Sequence, residues 1–267
     1  MSQQHDLGIR RFGSINWIGL FTLAEREIRR FSSIWSQTVL APLVTAGLFL
    51  VIFTIAIGPQ RGAVMGVPFM DFIAPGILMM TVIQNAFANT SFSLLSAKIQ
   101  GNIIDTMMPP LSPFEMLLGY LAGGVARGLL VAVTIGVGVL VVLRVVPHAP
   151  LVTLMFVLLG SAFMAALGIL TGIFARRFDQ MAAITNFIIT PFAFLSGSFY
   201  SVQSLPPVLY ALTYVNPMFH MIDGVRYGVL GVSDSSPVLG AVVCIIATVG
   251  LCYVTWRLLI SGYRLKP

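Results

Sequence analysis

Hydrophobic residues are concentrated in six long stretches, and shorter segments between them hold most of the polar and charged residues. Each stretch has about 19 residues or more, so a helix rising 1.5 Å per residue can cross the roughly 30 Å hydrocarbon core of a bilayer. We therefore predict an all-α membrane protein with six transmembrane helices. The predicted spans cover residues 35–57, 72–95, 116–143, 151–175, 181–199 and 238–260.

The segment before the first span mixes apolar and charged residues. Apolar side chains recur along residues 14–33, whereas 25–30 hold two glutamates and three arginines. This pattern predicts an amphipathic helix lying at the membrane surface. The alternative is an ordinary first turn that leads directly into the first span.

The segment between the fifth and sixth spans, about 200–231, is moderately apolar but interrupted by prolines and glycines. Ser204 and Asn216 stand just before prolines, where helix N-caps are common. We predict two short helices, about 206–214 and 217–230, neither long enough to span. They would form a re-entrant or outer-surface hairpin that packs against spans five and six or against a partner chain.

The small amount of charge supports a membrane protein, and its distribution indicates the orientation of the chain. Only 9% of the residues are charged, against about 25% in soluble domains. Eleven arginines and lysines fall on one side of the predicted spans and three on the other, and the richer side is normally cytoplasmic. Both termini, 1–33 and 261–267, are therefore expected in the cytoplasm, and the hairpin is expected outside. The eleven are Arg10, Arg11, Arg26, Arg29, Arg30, Lys98, Arg176, Arg177, Arg257, Arg264 and Lys266.

Motifs for catalysis are missing from the sequence. The two lysines, Lys98 and Lys266, both lack the glycine-rich context of a phosphate-binding P-loop. Neither an HExxH nor a Gly-x-Ser-x-Gly motif occurs, and the histidines lack metal-site spacing. We predict no catalytic residue, metal site or cofactor on this chain. The basic residues are dispersed at span ends, which argues against nucleic-acid binding.

Arg127 is the one charge placed clearly inside a span, about 18 Å into the third. It stands among glycines at positions 119, 123, 124 and 128, whose spacing lets another helix approach closely. Arg127 either lines a polar path or attracts an anionic head group, or it anchors the bundle by bonding to carbonyls or to polar side chains of the second span. No carboxylate lies at this depth, so an ion-coupled secondary transporter is weakly supported.

Two polar segments are further candidates. In the second span, Gln84, Asn85, Asn89 and Ser91 occupy one broad face, which either lines a translocation route or bonds to neighbouring helices. The segment 96–114 carries polar residues ahead of two prolines, consistent with a short helix that ends there. Such a helix either contacts a soluble partner or is a plain connecting loop.

Five motifs resemble those of the ABC-2-type permeases, within a bacterial branch of exporters, and the resemblance runs over nearly the whole chain. They are FIAPGILMM at 72–80, AKIQGNIIDTMMPPLSP at 97–113, GYLAGGVARGL at 119–129, TPFAFLSGSFYSVQSLPP at 190–207 and NPMFHMIDGVRYGVLG at 216–231. The resemblance implies a six-span domain over 34–260 that works as a dimer. It also implies one separate nucleotide-binding subunit under each copy, which would bind ATP and Mg.

The resemblance also assigns roles to segments of this chain. It implies that 14–33 is the connecting helix and that about 97–107 is the coupling helix seated in a groove of the ATPase, with 200–231 as the external hairpin. Family members often carry glutamates where Ile104 and Asp105 stand, so a charge contact to the ATPase would rest on Asp105. The residues expected to contact the ATPase are Lys98, Gln100, Asn102, Asp105, Glu25 and Arg29.

From the family, we expect export of an amphipathic substrate, such as a lipid-linked glycan, a lipid or a drug, across a bacterial inner membrane. The dimer interface would be lined by spans one, two and five. The residues expected along the path are Gln84, Asn85, Asn89, Arg127, Asn186, Phe192, Phe194 and Phe199. An ion-coupled transporter and a non-transporting membrane scaffold remain the alternatives.

Overall fold

The computed structural model describes residues 15–56, 58 and 62–264. It has six helices long and apolar enough to cross a membrane, as the hydrophobic pattern predicts. In order, spans 1 to 6 are Ser36–Ala56, Phe69–Ile99, Pro113–Leu143, Pro150–Phe174, Phe178–Leu195 and Pro237–Ser261. The expectations for residues 1–14, for 265–267 and for Arg61, one of the three basic residues on the less basic side of the predicted spans, lie outside the described residues.

Local sequence explains where several of these helices begin. Ser112 and Glu115 form a capping box before span 3, in which each side chain bonds the backbone amide of the other. Proline occupies the first turn of spans 3, 4 and 6, where its missing amide hydrogen costs nothing. Between spans 1 and 2, a two-stranded ribbon pairs Ala63–Val64 with Val67–Pro68.

Span 2 is the centre of the bundle. It packs against spans 3 and 4, and 78% of its most apolar stretch is buried. The corresponding value is 11% for spans 1 and 5, which lie at the periphery. Both peripheral spans contain a π-helical turn, at Ser36–Leu40 and Thr185–Ile189. Span 2, with its many polar residues, is therefore an interior helix. Spans 1 and 5 leave broad apolar faces uncovered by the other described helices.

The glycines of span 3 permit close packing on two sides, as their spacing predicts. A Cβ added at Gly123 would lie 2.5 Å from the Cβ of Glu27, and one at Gly124 would lie 2.5 Å from the Cβ of Ala165 in span 4. Both distances are shorter than two non-bonded carbon atoms can adopt. Span 3 thus receives the segment before span 1 on one face and span 4 on the other.

The segment before span 1 forms the predicted helix, α1 (Trp17–Ser32), capped by the Asn16 side chain. Leu23, Glu27 and Phe31 are buried and share one face, because they are spaced four residues apart. Ile18 and Phe21 are 73% and 64% exposed, so they point away from the bundle. A second apolar face, left uncovered by the helices that the structure describes, suits a helix lying at the membrane surface.

Three further short helices lie among the described residues. After span 2, a turn leads into α2 (Ile103–Met107), and the segment after span 5 contains α3 (Pro207–Val215) and α4 (Pro217–Leu230). Asn216 caps α4 through a bond from the Met218 amide, as predicted. The predicted cap at Ser204 is wrong, since that residue ends a 3-10 turn and α3 begins after Pro206 with no side-chain cap.

Helix α4 is held in the bundle by a fully buried arginine. The Arg226 guanidinium lies 3.3 Å from Asp223 and 3.6 Å from Asp234, donates to the Gly197 carbonyl and stacks on the Phe72 ring at 4.2 Å. These contacts join α4 to span 2 and to the loops on both sides of the hairpin. The helix packs on span 6, as predicted, and also on spans 2 and 4.

Candidate functional site

Helices α1 and α2 are in direct contact at the end of the bundle where span 2 ends and span 3 begins. Arg26 of α1 donates to the Thr106 hydroxyl of α2 at 2.8 Å and to the Tyr120 hydroxyl of span 3 at 3.3 Å. The backbone amide of Asn16 donates to the Glu115 carboxylate at 2.6 Å, which fixes the start of α1 beside the start of span 3. Arg26 therefore links α2 to α1 and to span 3 through side-chain hydrogen bonds.

A buried carboxylate lies next to this contact. Glu27 has no exposed surface, and it accepts hydrogen bonds from Arg30 at 2.9 Å, from Ser93 of span 2 at 2.8 Å and from Arg26 at 3.3 Å. Two arginines therefore share one carboxylate. Since Glu27 also packs on Gly123, it joins α1 to spans 2 and 3 at a single point.

The polar contacts continue deeper into the bundle. Arg30 donates to the side-chain oxygen of Asn89 at 2.9 Å and to its carbonyl at 3.0 Å. One turn further along span 2, Asn85 accepts a hydrogen bond from Arg127 at 3.1 Å. We call this set the inner polar network: Arg26, Glu27, Arg30, Asn85, Asn89, Ser93, Thr106, Tyr120 and Arg127.

An aromatic cluster joins the peripheral spans. Phe49 and Phe53 of span 1 meet Phe194 of span 5 and Phe199 just beyond it, with ring centroids 4.6–6.4 Å apart. Such rings supply a flat apolar surface suited to acyl chains or sugar faces. The cluster therefore marks the one place where spans 1 and 5 are seen in ring contact among the described residues.

The polar residues around α2 face outward. Asp105 is exposed beside a cavity of about 380 Å³ that also touches Arg26 and Thr106. Gln100 and Asn102 bond to each other at 3.2 Å and are exposed. On α1, Glu25 and Arg29 form an exposed pair at 2.6 Å. These polar and charged side chains are exposed on α1, on α2 and on the turn before α2.

Comparison with known proteins identifies the family. The sequence profile of the ABC-2 type transporter family matches residues 19–230. The chain belongs to this family. It is 36% identical to the inner membrane transport permease YadH of Escherichia coli K12 over 250 residues, which cover 94% of this chain and 98% of that protein. It is also 24% identical to nodulation protein J of Neorhizobium galegae over 86% of this chain and 87% of that protein.

The expected coupling segment of this ABC-2 chain is divided in two. Span 2 continues to Ile99, Gly101 adopts a left-handed φ of 76°, and only Ile103–Met107 forms a separate helix. Lys98 belongs to span 2, and its ammonium donates to the carbonyls of Gly172, Ile173 and Ala175 at 2.7–2.9 Å. Within the segment expected at 97–107, only Ile103–Met107 forms a helix separate from span 2, and Lys98 caps the end of span 4.

The residues expected along a path fall into three places. Asn85, Asn89 and Arg127 meet in the inner polar network, and Phe194 and Phe199 meet in the aromatic cluster, beside the exposed Phe192. Gln84 is half-buried and Asn186 is exposed on span 5, and the described residues provide no hydrogen bond to either side chain. The bond from Arg127 to Asn85 matches the anchoring alternative for Arg127.

Several members of these two groups were not anticipated from the sequence. Glu27 lies in the charged second half of the predicted amphipathic helix, although its spacing from Leu23 and Phe31 places it on the buried face. That four-residue spacing was a usable signal. Ser93, Tyr120, Phe49 and Phe53 carried no comparable signal, because their contacts depend on which helices are neighbours.

Proposed function

We propose that this chain is the membrane subunit of an ATP-driven exporter in a bacterial inner membrane. Two copies would pair, and each would contact a separate ATPase subunit that binds ATP and Mg. The observation that carries the proposal is the hydrogen bond between Arg26 of α1 and Thr106 of α2, set beside an exposed charged surface. Family membership supports it, because ABC-2 chains generally work with a separate ATPase.

The contacts suggest how motion would be passed on. Closure of the ATPase subunits would displace α2, and the bond from Thr106 to Arg26 would carry that displacement into α1. From α1, Glu27 and Arg30 connect to spans 2 and 3 through direct hydrogen bonds and close packing. The surface presented to the ATPase would include Glu25, Arg29, Gln100, Asn102 and Asp105, while Lys98 would act indirectly by fixing span 4.

The free faces of spans 1 and 5 support pairing of two copies. An exposed asparagine, Asn186, in a membrane span is unfavourable unless it meets another polar group or water. A second copy of the chain could supply the polar group, and an internal path could supply the water. The substrate would be amphipathic, because the aromatic cluster is apolar and the inner polar network is charged. In this arrangement both termini lie in the cytoplasm and α3 and α4 lie on the outer side.

Co-purification tests the proposal. The tagged chain, expressed in its native host, should retain a soluble P-loop ATPase. Asp105→Arg should lower the recovered ATPase by roughly tenfold or more, because a reversed charge at an interface is strongly unfavourable. Asp179→Arg is the matched control, since Asp179 is also exposed at the same end of the bundle, and it should leave recovery unchanged.

Two alternative functions predict different outcomes. A secondary transporter would move its substrate in response to an ion gradient without ATP, and a scaffold would move none. Absence of any ATPase from the purified wild-type chain, together with gradient-driven uptake, would contradict the proposal. Equal losses for Asp105→Arg and Asp179→Arg would remove α2 from the proposed contact.

A further inference from the structure

A cavity of about 300 Å³ lies between spans 2, 3 and 4 and helix α4. One face of span 3 borders it, and Leu78, Val157 and Val229 come from span 2, span 4 and α4. Among the described residues that line it, Thr153 has the one polar side chain, and its hydroxyl already donates to the Ala149 carbonyl at 3.3 Å. Such a lining offers water no free hydrogen-bonding partner, so the occupant that fits it is apolar.

Gly136 of span 3 opens this cavity. The nearest atom to a Cβ added there belongs to the Leu78 side chain, 3.8 Å away, which is an ordinary contact distance. At Gly123 and Gly124 the same added atom would overlap a neighbouring side chain. Glycine inside a helix is destabilising relative to alanine, and close helix packing does not require it at position 136. Its missing side chain leaves the space that spans 2 and 3 share.

The cavity is open toward the surface of the bundle that faces lipid. Val133, Val137 and Leu140 line it and share one face of span 3, yet they are 62%, 53% and 43% exposed. They lie in the last turns of span 3, roughly 5–15 Å along the axis from its end at Leu143. That depth is within one leaflet of a hydrocarbon core roughly 30 Å thick. The solvent at the opening therefore consists of acyl chains.

Neither a second copy nor the proposed substrate route accounts for the opening. Two copies are proposed to pair through spans 1 and 5, and neither span contributes a described residue to the lining. The aromatic cluster belongs to the edge formed by the same two spans. The lining also shares no residue with the inner polar network. The bilayer is therefore the surrounding medium that covers the opening.

A cation stands at the end of the cavity nearest the membrane surface. Arg144 follows the last residue of span 3, and Leu140 and Val145 on either side of it both line the cavity. The Arg144 side chain is exposed, and within the part of the chain that the structure describes it forms neither an ion pair nor a hydrogen bond. A phospholipid with an acyl chain in the cavity would bring its phosphate to this level, where the guanidinium complements its charge.

We propose that this cavity binds one acyl chain of a membrane phospholipid, whose phosphate lies beside Arg144. The lipid belongs to the leaflet at the Leu143 end of span 3, and it stays with the chain instead of being transported. Because three spans and α4 bound the cavity, its occupant joins all four elements, and binding stabilises their arrangement. A diacylglycerol offers the same chains without the phosphate, and the experiment separates the two. The inference goes beyond the proposed export function and does not depend on it.

Photolabelling of the purified full-length chain tests the site. The chain, freed of lipid in a maltoside detergent, receives a phosphatidylglycerol that carries a diazirine within one acyl chain, and peptide mass spectrometry locates the label. Label should concentrate on the parts of spans 3 and 4 that line the cavity. Gly136→Leu fills the cavity, so it should reduce this labelling about tenfold or more, since each buried methylene favours binding. Gly250→Leu is the matched control, because a Cβ added there has no atom within 4 Å, and it should leave the labelling unchanged.

A second pair of variants keeps the test decisive if Gly136→Leu does not fold. Val133→Trp places a large ring at the opening, and Val249→Trp places the same ring on span 6. The two valines are 62% and 63% exposed, so the folded chain tolerates both changes equally. Val133→Trp should lower the labelling, and Val249→Trp should not. Added phosphatidylglycerol should also raise the unfolding temperature of the wild type and of Val249→Trp more than that of Val133→Trp.

Competition tests the place of the phosphate. Unlabelled dioleoylphosphatidylglycerol should displace the probe at about fivefold lower concentration than dioleoylglycerol, because one arginine near the surface favours an anionic lipid by about this factor. Arg144→Gln should remove the difference between the two lipids. Equal displacement by both lipids from the wild type would overturn the assignment of the phosphate to Arg144.

Equal labelling of the cavity in the wild type, Gly136→Leu and Val133→Trp would overturn the inference, as would label spread evenly over spans 3 and 6. These measurements need neither ATP nor the ATPase. Failure to recover an ATPase with the chain would therefore contradict the proposed function and leave this inference standing.

Discussion

At the scale of single residues, Glu27 determines how α1 is attached. It is a carboxylate without exposed surface that accepts hydrogen bonds from two arginines of α1 and from a serine of span 2. A buried charge of this kind is tolerated only while its partners are present. Glu25, two residues earlier, pairs with Arg29 in solvent, where an ion pair contributes little.

We predict a large difference between the two glutamates. Glu27→Gln should lower the free energy of unfolding by about 3 kcal/mol, because Arg26 and Arg30 lose their shared counter-charge. Glu25→Gln should change it by about 0.5 kcal/mol or less. Thermal or denaturant unfolding of the purified chain in detergent measures both. Equal effects of the two substitutions would mean that the burial of Glu27 has no energetic consequence.

The partners of two buried or half-buried charged residues show where prediction from the sequence ends. The basic character of Lys98 was plain, but its three carbonyl partners belong to the end of span 4, more than 70 positions away. The partners of Arg226 include Asp234, which is reached only after the chain turns back. Such pairings depend on which helices become neighbours, so spacing along the sequence could not reveal them.

At the scale of elements, hydrophobic length was sufficient to predict all six spans, because each must cover the same apolar thickness. Helix ends were predicted where a local capping group decides them, as at Asn216. The division of the 97–107 segment was missed, although Gly101 is a typical signal for the end of a helix. Glycine spacing in span 3 correctly indicated close helix packing, without indicating which helices would use it.

We predict that this packing leaves no room for a methyl group. Gly124→Ala should lower the stability of the chain by about 1–3 kcal/mol, since the added Cβ would overlap Ala165 of span 4. Gly250→Ala in span 6 is the control, because no atom lies within 4 Å of an added Cβ there. That variant should be neutral or slightly more stable. Unfolding midpoints in detergent compare the two, and a stable Gly124→Ala chain would contradict the close approach of spans 3 and 4.

At the scale of the whole molecule, the fold combines a compact centre with two loosely attached spans. Span 2 is surrounded, whereas spans 1 and 5 present most of their surface outward and meet at the aromatic cluster. The inner polar network connects the charged surface near α2 to the middle of the bundle. This arrangement suits a subunit that receives motion at one end and pairs through its peripheral spans.

Substrate movement by the reconstituted complex tests the central claim most directly. Proteoliposomes would contain this chain, the ATPase that co-purifies with it and a fluorescent lipid. The account predicts that the lipid moves between leaflets only when both proteins and ATP are present, and that ionophores leave the rate unchanged. Movement driven by an ion gradient with this chain alone, in the absence of ATP, would contradict it.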